Sequence, residues 1–338
     1  MIGMGQLTYA PLLRWKQAER LSLRDLYPGD ADGILPVVEV VPRIVDSGNL
    51  TKLPQQLNDA WRGRHMVVDG SPPAVPRHWQ AETVYSRLSD QALLLDVGIA
   101  PVVVPQDDES TLAAATRLSR ASQGRLALRV SSNEAHLIPG LLRRINRKPE
   151  STDLIVDFGM VGRPDGRYTA VAGTLPLFDQ WGSVIFLGGA FPRDLSELEV
   201  GQHVLPRHDW LAWKEMANSW AGRRPLFGDY TIQCAVYSEP PEFANFSASI
   251  RYTASEEWVV MRGEGVRNAT GAGYAQWPAN AELLCERSEF CGAAFSRGDG
   301  YIEMMGGSPP STGNPSSWLR AGINHHLSLV SRQAANLL

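Results

Sequence analysis

The stretch YAPLLRWKQAERLSLRDL, residues 9–26, holds the pattern that decides the fold. An apolar run ends abruptly in Arg14, Lys16 and Glu19, and a helix-compatible stretch follows at once. Continuous apolarity is typical of a strand that is buried on both faces, as in a parallel sheet. The charged residues therefore follow the point where such a strand would leave the core.

The same unit recurs along the chain, and the apolar runs start about 25 to 40 residues apart, the length of a strand with its crossover helix. The predicted strands are 9–15, 34–42, 64–70, 100–106, 125–131, 152–159, 183–189 and 224–230. Eight such units predict an α/β fold, a (β/α)8 TIM-like barrel. A doubly wound open sheet is the competing interpretation, but no strand is followed by a G-x-G-x-x-G turn.

Helical patterns lie between several of these strands. We predict helices over 81–98, with Gly98 as the stop, and over 110–122, with a Ser cap. A third covers 131–147, where Pro139 indicates a kink or a late start.

The pattern changes after the eighth predicted strand. Residues 247–265 are typical of a hairpin with Arg251 and Arg262 near its ends, and a terminal helix is predicted over 313–338. If that helix is the eighth of the barrel, residues 232–314 form one large insertion in the eighth βα loop and cover the mouth. We expect residues 1–338 to form a single domain.

Bulk properties exclude several classes of protein. The net charge of −4 provides no overall basic field for non-specific nucleic-acid binding. Three cysteines without C-x-x-C spacing argue against a disulfide framework and against a cysteine zinc site. The amino terminus lacks a signal-peptide pattern, and no window reaches the roughly 18 apolar residues of a membrane span. We expect a cytoplasmic protein with no membrane segment.

Charged residues at the strand ends would converge on the barrel mouth. The candidate catalytic residues are Lys16, Glu19, Glu39, Asp157 and Asp229. The candidate ligand-binding residues are Arg43, Asp69, Arg129 and Arg193. The carboxylates could hold a divalent metal or act as acid and base, and the cations could neutralise a phosphate. The alternative is a set of solvated loop charges and structural ion pairs.

Glu39 lies within an apolar run, so we expect a buried partner, either Lys16 or Arg129. The glycines of 188–192 and 222–230, together with Arg193, Arg223 and Arg224, indicate an anion site.

Two adjacent histidines, His325 and His326, invite a metal-site interpretation. Neighbouring helix residues point about 100° apart, so one ion cannot easily bind both. We expect one histidine to pack and the other to form a hydrogen bond.

Four segments together resemble the Protein beta family, which is named for a bacteriophage protein and is found widely in bacteria. They are the opening stretch, ILPVVEVVPR (34–43), the pair IRYT (250–253) and EEWVVMRG (256–263), and WLRAGINHHLSLV (318–330). The family's W-K-x-A/G-E element looks like Trp15, Lys16, Ala18 and Glu19, with Ala18 where Gly is often expected. Its closing element looks like Trp318, Gly322, His325 and His326. The resemblance gives extra weight to Lys16, Glu19, Arg251, Arg262 and His325, and the last three are further candidate ligand-binding residues. It also implies work in phage–host conflict.

Two functions follow as hypotheses. The first is a phosphoester hydrolase whose barrel mouth acts on a nucleotide or a nucleic-acid end. The second is a non-catalytic subunit that recognises a nucleotide signal or a protein partner in a defence system. Carboxylates that share an open pocket would favour the enzyme, whereas carboxylates sealed in pairs with Lys or Arg would favour the binding protein.

Overall fold

The structure is a computed structural model that describes residues 6–46, 48–72, 77–239, 245–268, 272–307 and 311–337, with 77–79 described by their main chain alone. Within these residues the strands are β1 Leu12–Arg14, β2 Val37–Glu39, β3 His65–Asp69, β4 Gly98–Val103, β5 Leu126–Ser131, β6 Thr152–Met160, β7 Ser183–Gly189, β8 Gly201–Pro206, β9 Leu226–Asp229, β10 Ile250–Thr253 and β11 Glu257–Arg262. The helices are α1 Gln17–Arg24, α2 Pro28–Ala31, α3 Pro42–Asp46, α4 Leu53–Trp61, α5 Arg77–Gln91, α6 Glu109–Ala121, α7 Ile138–Arg144, α8 Arg167–Thr174, α9 His208–Ser219, α10 Gln276–Cys285, α11 Arg297–Gly307 and α12 Pro315–Ala335.

Eight parallel strands form a nearly closed barrel in the order β1-β2-β3-β4-β5-β6-β7-β9. The first and last strands meet where Tyr9 pairs with Phe227, and the Ala10 N–H donates to the Phe227 carbonyl oxygen over 2.7 Å. Helices connect the strands, so the predicted (β/α)8 architecture is confirmed.

The barrel strands separate two apolar cores because successive side chains point to opposite faces. Leu12, Val37 and Val67 pack inside the barrel. Leu13 and Val38 point outward and pack against the surrounding helices. Side chains two positions beyond an interior residue, towards the carboxyl end of the strand, therefore also lie inside the barrel near its mouth.

A second, antiparallel sheet has the order β10-β11-β8. Its β10–β11 pair is the predicted hairpin, and β8 comes from the connection between β7 and α9. A separate apolar core, which includes Tyr252, Trp277 and Ile302, joins this sheet to α10, α11 and α12. Sequence reasoning missed both β8 and α11.

Several predicted helix limits were wrong. Gly98 does not stop a helix, because it is the first residue of β4, and Asp108 rather than Ser110 caps α6 by accepting the Thr111 N–H. The late start at Pro139 is correct, since α7 begins at Ile138.

Helix α12 connects the two sheets. Asn314 caps its amino terminus, accepting the Ser317 N–H over 3.0 Å, and the helix contacts α1, α2 and β10. Residues 232–314 lie between β9 and α12, and their description as an insertion within one domain stays a prediction. Within the described residues, no helix has the length and apolarity needed to cross a membrane.

Candidate functional site at the barrel mouth

An arginine occupies the centre of the barrel interior below the mouth. The Arg129 Nη1 atom donates to Glu39 Oε2 over 3.0 Å and to Asp69 Oδ2 over 2.9 Å. Its Nη2 atom donates to Asp157 Oδ2 over 2.6 Å. The structure thus brings together four of the residues that the sequence singled out, and Arg129 is the predicted partner of Glu39.

Strand register explains this convergence. Glu39 lies beside Asp69 where β2 pairs with β3, and it also lies beside Arg14 where β1 pairs with β2. Each of the three follows an interior residue by two positions, so all three side chains enter the barrel. The ionic residues therefore replace the last apolar layer of the barrel core.

Two members of this cluster were missing from the predicted site. The Arg14 Nε atom lies 3.4 Å from Glu39 Oε1, and its two Nη atoms donate to the carbonyl oxygens of Cys234 and Ala235. The Tyr230 hydroxyl accepts from Arg129 over 3.0 Å and donates to Asp157 over 2.8 Å. Alternation could have identified both, because Arg14 follows the interior residue Leu12 by two positions and Tyr230 follows Leu226, which packs against the interior core, by four.

Most of the cluster is buried, and the Asp157 side chain keeps 14 % exposure. Arg129 is 3 % exposed, Glu39 is 1 % exposed and Asp69 is 0 % exposed. Burial disfavours the charge of Arg129, but Tyr230 and the carboxylates outweigh burial and raise its pKa well above the usual value. Burial, reinforced by Asp157, raises the pKa of Tyr230, which therefore stays a neutral hydroxyl. The carboxylates Glu39, Asp69 and Asp157 thus stabilise a buried arginine, and none of the three lines the cavity above them.

Above the cluster, a cavity of about 580 Å³ opens at the mouth. Its described lining includes five basic side chains and two carboxylates, which are Arg14, Lys16, Arg43, Arg193, Arg251, Glu19 and Glu239. The rest of the wall is mixed, with neutral polar residues such as Ser247 and Ser249 beside apolar side chains that include Val236, Phe246, Trp277 and Trp318. Val236 and Phe246 are 49 % and 45 % exposed, so they offer accessible apolar surface.

The cations of this cavity differ in their freedom to bind a ligand. Arg43 and Arg193 are exposed, and within the described residues neither lies within 4.0 Å of a carboxylate oxygen. The Lys16 Nζ atom lies 3.9 Å from Glu239 Oε2, in a partly exposed pair that contributes little. Arg251 donates to the Ile232 carbonyl oxygen, and burial lowers its pKa to about 10, so it stays charged at neutral pH.

Two helix amino termini add to the positive potential of the cavity. Gln17 and Ala18 begin α1, Pro315 and Ser316 begin α12, and all four line the cavity. The partial positive charge at a helix amino terminus favours bound anions. The cavity therefore combines free guanidinium groups with two helix termini of the same sign.

Glu19 is the buried acid of this cavity. It is 1 % exposed, and its Oε1 atom accepts from Gln233 Nε2 over 2.9 Å. Its Oε2 atom has no partner within the described part of the chain. Burial raises the pKa of this carboxyl above the usual value.

Asp229 does not belong to the mouth, which corrects the prediction. Phe227 packs outside the barrel and Tyr230 packs inside, and Asp229 lies on the outer face with Phe227. Its carboxylate accepts from the Tyr9 hydroxyl over 2.7 Å and lies 2.8 Å from His326 Nε2. A position at the end of a strand does not place a side chain inside, because the alternation decides which face it takes.

The two histidines of α12 point to different partners, as their helical spacing predicts, but both form hydrogen bonds, so the expectation that one would only pack was wrong. His326 contacts Asp229 on the barrel and, through Nδ1, the Thr253 hydroxyl over 2.8 Å. His325 contacts Asp299 over 2.8 Å. Both imidazoles are 0 % exposed, so the ligand-binding role predicted for His325 does not fit its position. No group of three or more His, Cys, Asp or Glu side chains in the described chain is arranged to hold a metal ion.

Three other arginines lie away from the mouth cavity. The Arg262 Nε atom donates to the Leu195 carbonyl oxygen at the end of β11, and Arg262 does not line the cavity. Arg223 and Arg224 precede β9 and line a different cavity of about 610 Å³ at the amino-terminal end of the barrel. The predicted grouping of Arg193 with these two arginines was therefore wrong, because Arg193 follows β7 at the carboxyl end of the barrel and the other two precede β9 at the amino end.

The cavity at the amino-terminal end is larger but less suited to bind an anion. Arg125 pairs with Asp153, and the Nη2 atom of Arg223 donates to the Gly182 carbonyl oxygen over 2.6 Å. Its guanidinium groups are thus occupied by the protein itself. Active sites of this fold are built at the opposite, carboxyl end of the strands.

Comparison with known families identifies the chain. A comparison with curated proteins found no match, and a comparison with solved structures found none either. The family model described as Beta protein matches residues 9–332, which is nearly the whole chain. The match includes every strand of the barrel and of the second sheet. The chain therefore belongs to the Beta protein family.

Proposed function

We propose that the mouth cavity binds a phosphate-containing ligand, either a nucleotide or a nucleic-acid end. The observation that carries this proposal is the pair of exposed guanidinium groups, Arg43 and Arg193, which lack a carboxylate partner among the described residues. Arginine presents a planar fork of N–H donors that matches phosphate oxygens. The amino termini of α1 and α12 in the same wall favour the same ligand charge.

The size and the apolar wall of the cavity support a ligand larger than phosphate. A volume of about 580 Å³ lies within the range of small-molecule sites. Phe246 offers a partly exposed ring against which a planar group can stack. A phosphate attached to a flat, weakly polar body would use both the cations and the apolar wall.

Binding without catalysis is the function that the geometry supports best. Glu39, Asp69 and Asp157 all accept hydrogen bonds from Arg129, and the Glu39 and Asp69 carboxylates are closed to solvent. Carboxylates that are already paired with an arginine are not free to hold a metal ion or to transfer a proton, which favours a binding or sensor protein. Phosphoester hydrolysis, with or without a divalent metal, is the less supported hypothesis.

Family membership supports a setting in phage–host conflict, in which the chain would act as a sensor of a nucleotide signal. A protein partner would then bind the form of the chain that holds the nucleotide.

Equilibrium binding tests the proposal. Isothermal titration calorimetry of the full chain with pyrophosphate and with adenosine 5′-monophosphate should show saturable binding. The double variant Arg43→Ala, Arg193→Ala should weaken it at least about tenfold, since each lost charged hydrogen bond costs about 1.5–3 kcal/mol. Arg143→Ala, which removes an exposed arginine of α7 outside the cavity lining, is the matched control and should bind as the wild type does. No binding of either probe, or equal binding by all three proteins, would refute the proposal.

A further inference from the structure

Among the described residues that line the mouth cavity, Glu19 has a buried carboxyl oxygen without a hydrogen bond. One carboxyl oxygen is held by Gln233, and the other has no partner within the described residues. The side chain is 1 % exposed, so water does not freely solvate it. A buried carboxyl oxygen without a hydrogen bond is costly, and such groups are concentrated at functional sites.

The neighbouring cations do not supply the missing contact. Lys16 extends over the Tyr237 ring, with Nζ 5.7 Å from the ring centre, and it lies near Glu239. Arg14 donates to Glu39 and to the carbonyl oxygens of Cys234 and Ala235. Within the described residues Glu19 Oε2 is thus left without a donor, and Glu19 lines the cavity in which the proposed ligand binds.

We propose that Glu19 is a specificity-determining residue, whose Oε2 atom accepts a hydrogen bond from an N–H or O–H group that the ligand carries beside its phosphate. The inference rests on the proposed function and narrows the ligand class to phosphate esters with amino or hydroxyl groups, such as ribonucleotides. Inorganic phosphate and pyrophosphate would bind the arginines but would leave Glu19 Oε2 without a hydrogen bond. Because Oε2 is closed to solvent, the proposal requires a small displacement of the cavity wall, which includes Gln233.

The conservative variant Glu19→Gln makes a sharp test. Gln233 donates its amide N–H to Oε1, so the oxygen of an introduced glutamine would keep that position. The amide nitrogen would then stand where Oε2 stands now. This amide nitrogen is a donor and cannot accept a hydrogen bond from the ligand N–H or O–H group. The two donors would face each other, so the variant should bind such a ligand less tightly.

The experiment compares two kinds of probe by calorimetry at about pH 8, where the carboxyl is more ionised. One probe is pyrophosphate, and the other is the set of four ribonucleoside 5′-monophosphates. The wild type should bind at least one nucleotide about tenfold more tightly than pyrophosphate. Glu19→Gln and Glu19→Ala should each lose that preference and keep the pyrophosphate affinity within about twofold. Glu109→Gln, which changes an exposed acid in the first turn of α6, should keep the preference.

The outcomes separate the two proposals. If pyrophosphate binds in a manner that depends on Arg43 and Arg193 but nucleotides bind no more tightly, the role of Glu19 is overturned and the phosphate site stands. An equal loss of both probes in Glu19→Gln, with circular dichroism unchanged, also overturns it. If no probe binds the wild type, both proposals fall.

Discussion

Arg129 on β5 and Asp157 on β6 join through Nη2 and Oδ2 at 2.6 Å, inside the barrel and below its mouth. The same guanidinium also binds Glu39 and Asp69 from the opposite side of the barrel. One arginine thus links strands that are up to 118 positions apart in the chain, from Glu39 to Asp157. The floor of the mouth cavity is therefore a structural part of the barrel.

Replacing Arg129 tests this structural role. Arg129→Met leaves buried carboxylates without their shared cation, and breaking a buried pair from one side costs about 3–5 kcal/mol. Urea unfolding followed by circular dichroism measures the loss of unfolding free energy. Arg64→Met removes an exposed pair with Asp32 and should cost at most about 1 kcal/mol. Similar small losses for both variants would contradict a structural cluster.

The pH dependence of stability reports on a second buried acid. Burial, reinforced by Asp229, raises the pKa of Asp209 to about 7. The folded chain therefore holds this proton more tightly than the unfolded chain, whose ordinary value is 3.8. The resulting stability is present below the unfolded value and is lost as the pH rises to about 7, by at most about 4 kcal/mol.

Asp209→Asn should remove this dependence. Between about pH 4 and pH 7, urea unfolding free energies of the variant should change less steeply than those of the wild type. Glu109→Gln, at an exposed acid, should follow the wild-type curve. Parallel curves for Asp209→Asn and the wild type would show that this carboxyl does not titrate in that range.

A glycine of α12 allows the helix to lie close to the second sheet. A Cβ atom at Gly322 would lie 2.6 Å from the Arg251 carbonyl oxygen and 2.7 Å from Ile232 Cδ1. Gly322→Ala should therefore destabilise the chain by about 1–3 kcal/mol, the usual cost of overpacking. Gly173→Ala in α8 meets no atom within 4 Å and should be neutral or stabilising by up to about 1 kcal/mol. Thermal unfolding measures the stability of both variants. A Gly322→Ala variant as stable as the wild type would refute the close approach of α12 to the second sheet.

All eight barrel strands could be predicted from the sequence because each is an apolar run buried on both faces. Strand β8 could not, since its residues, such as Gln202, are largely exposed. Its pairing partner β11 lies more than 50 positions later in the chain, and such a pairing leaves no local pattern. The same limit applies to α11, whose glycine-rich sequence is a weak helix former.

The candidate site was predicted in part for a similar reason. The sequence indicated which charged residues follow strands, and Arg129, Glu39, Asp69 and Asp157 do meet. It could not show whether they meet in an open pocket or a buried cluster, because that depends on how residues 230–235, which follow β9, pack against the cluster. Tyr230 and the carbonyl groups held by Arg14 close the cluster, and their positions follow from tertiary packing.

A crystal structure of the chain soaked with adenosine 5′-monophosphate tests the central claim most directly. The account predicts phosphate density in the mouth cavity, within hydrogen-bond distance of Arg43 or Arg193, with the Arg129 cluster unchanged beneath it. Phosphate density at the amino-terminal end beside Arg125 and Arg223, or no density at the mouth in crystals that bind the nucleotide, would contradict it.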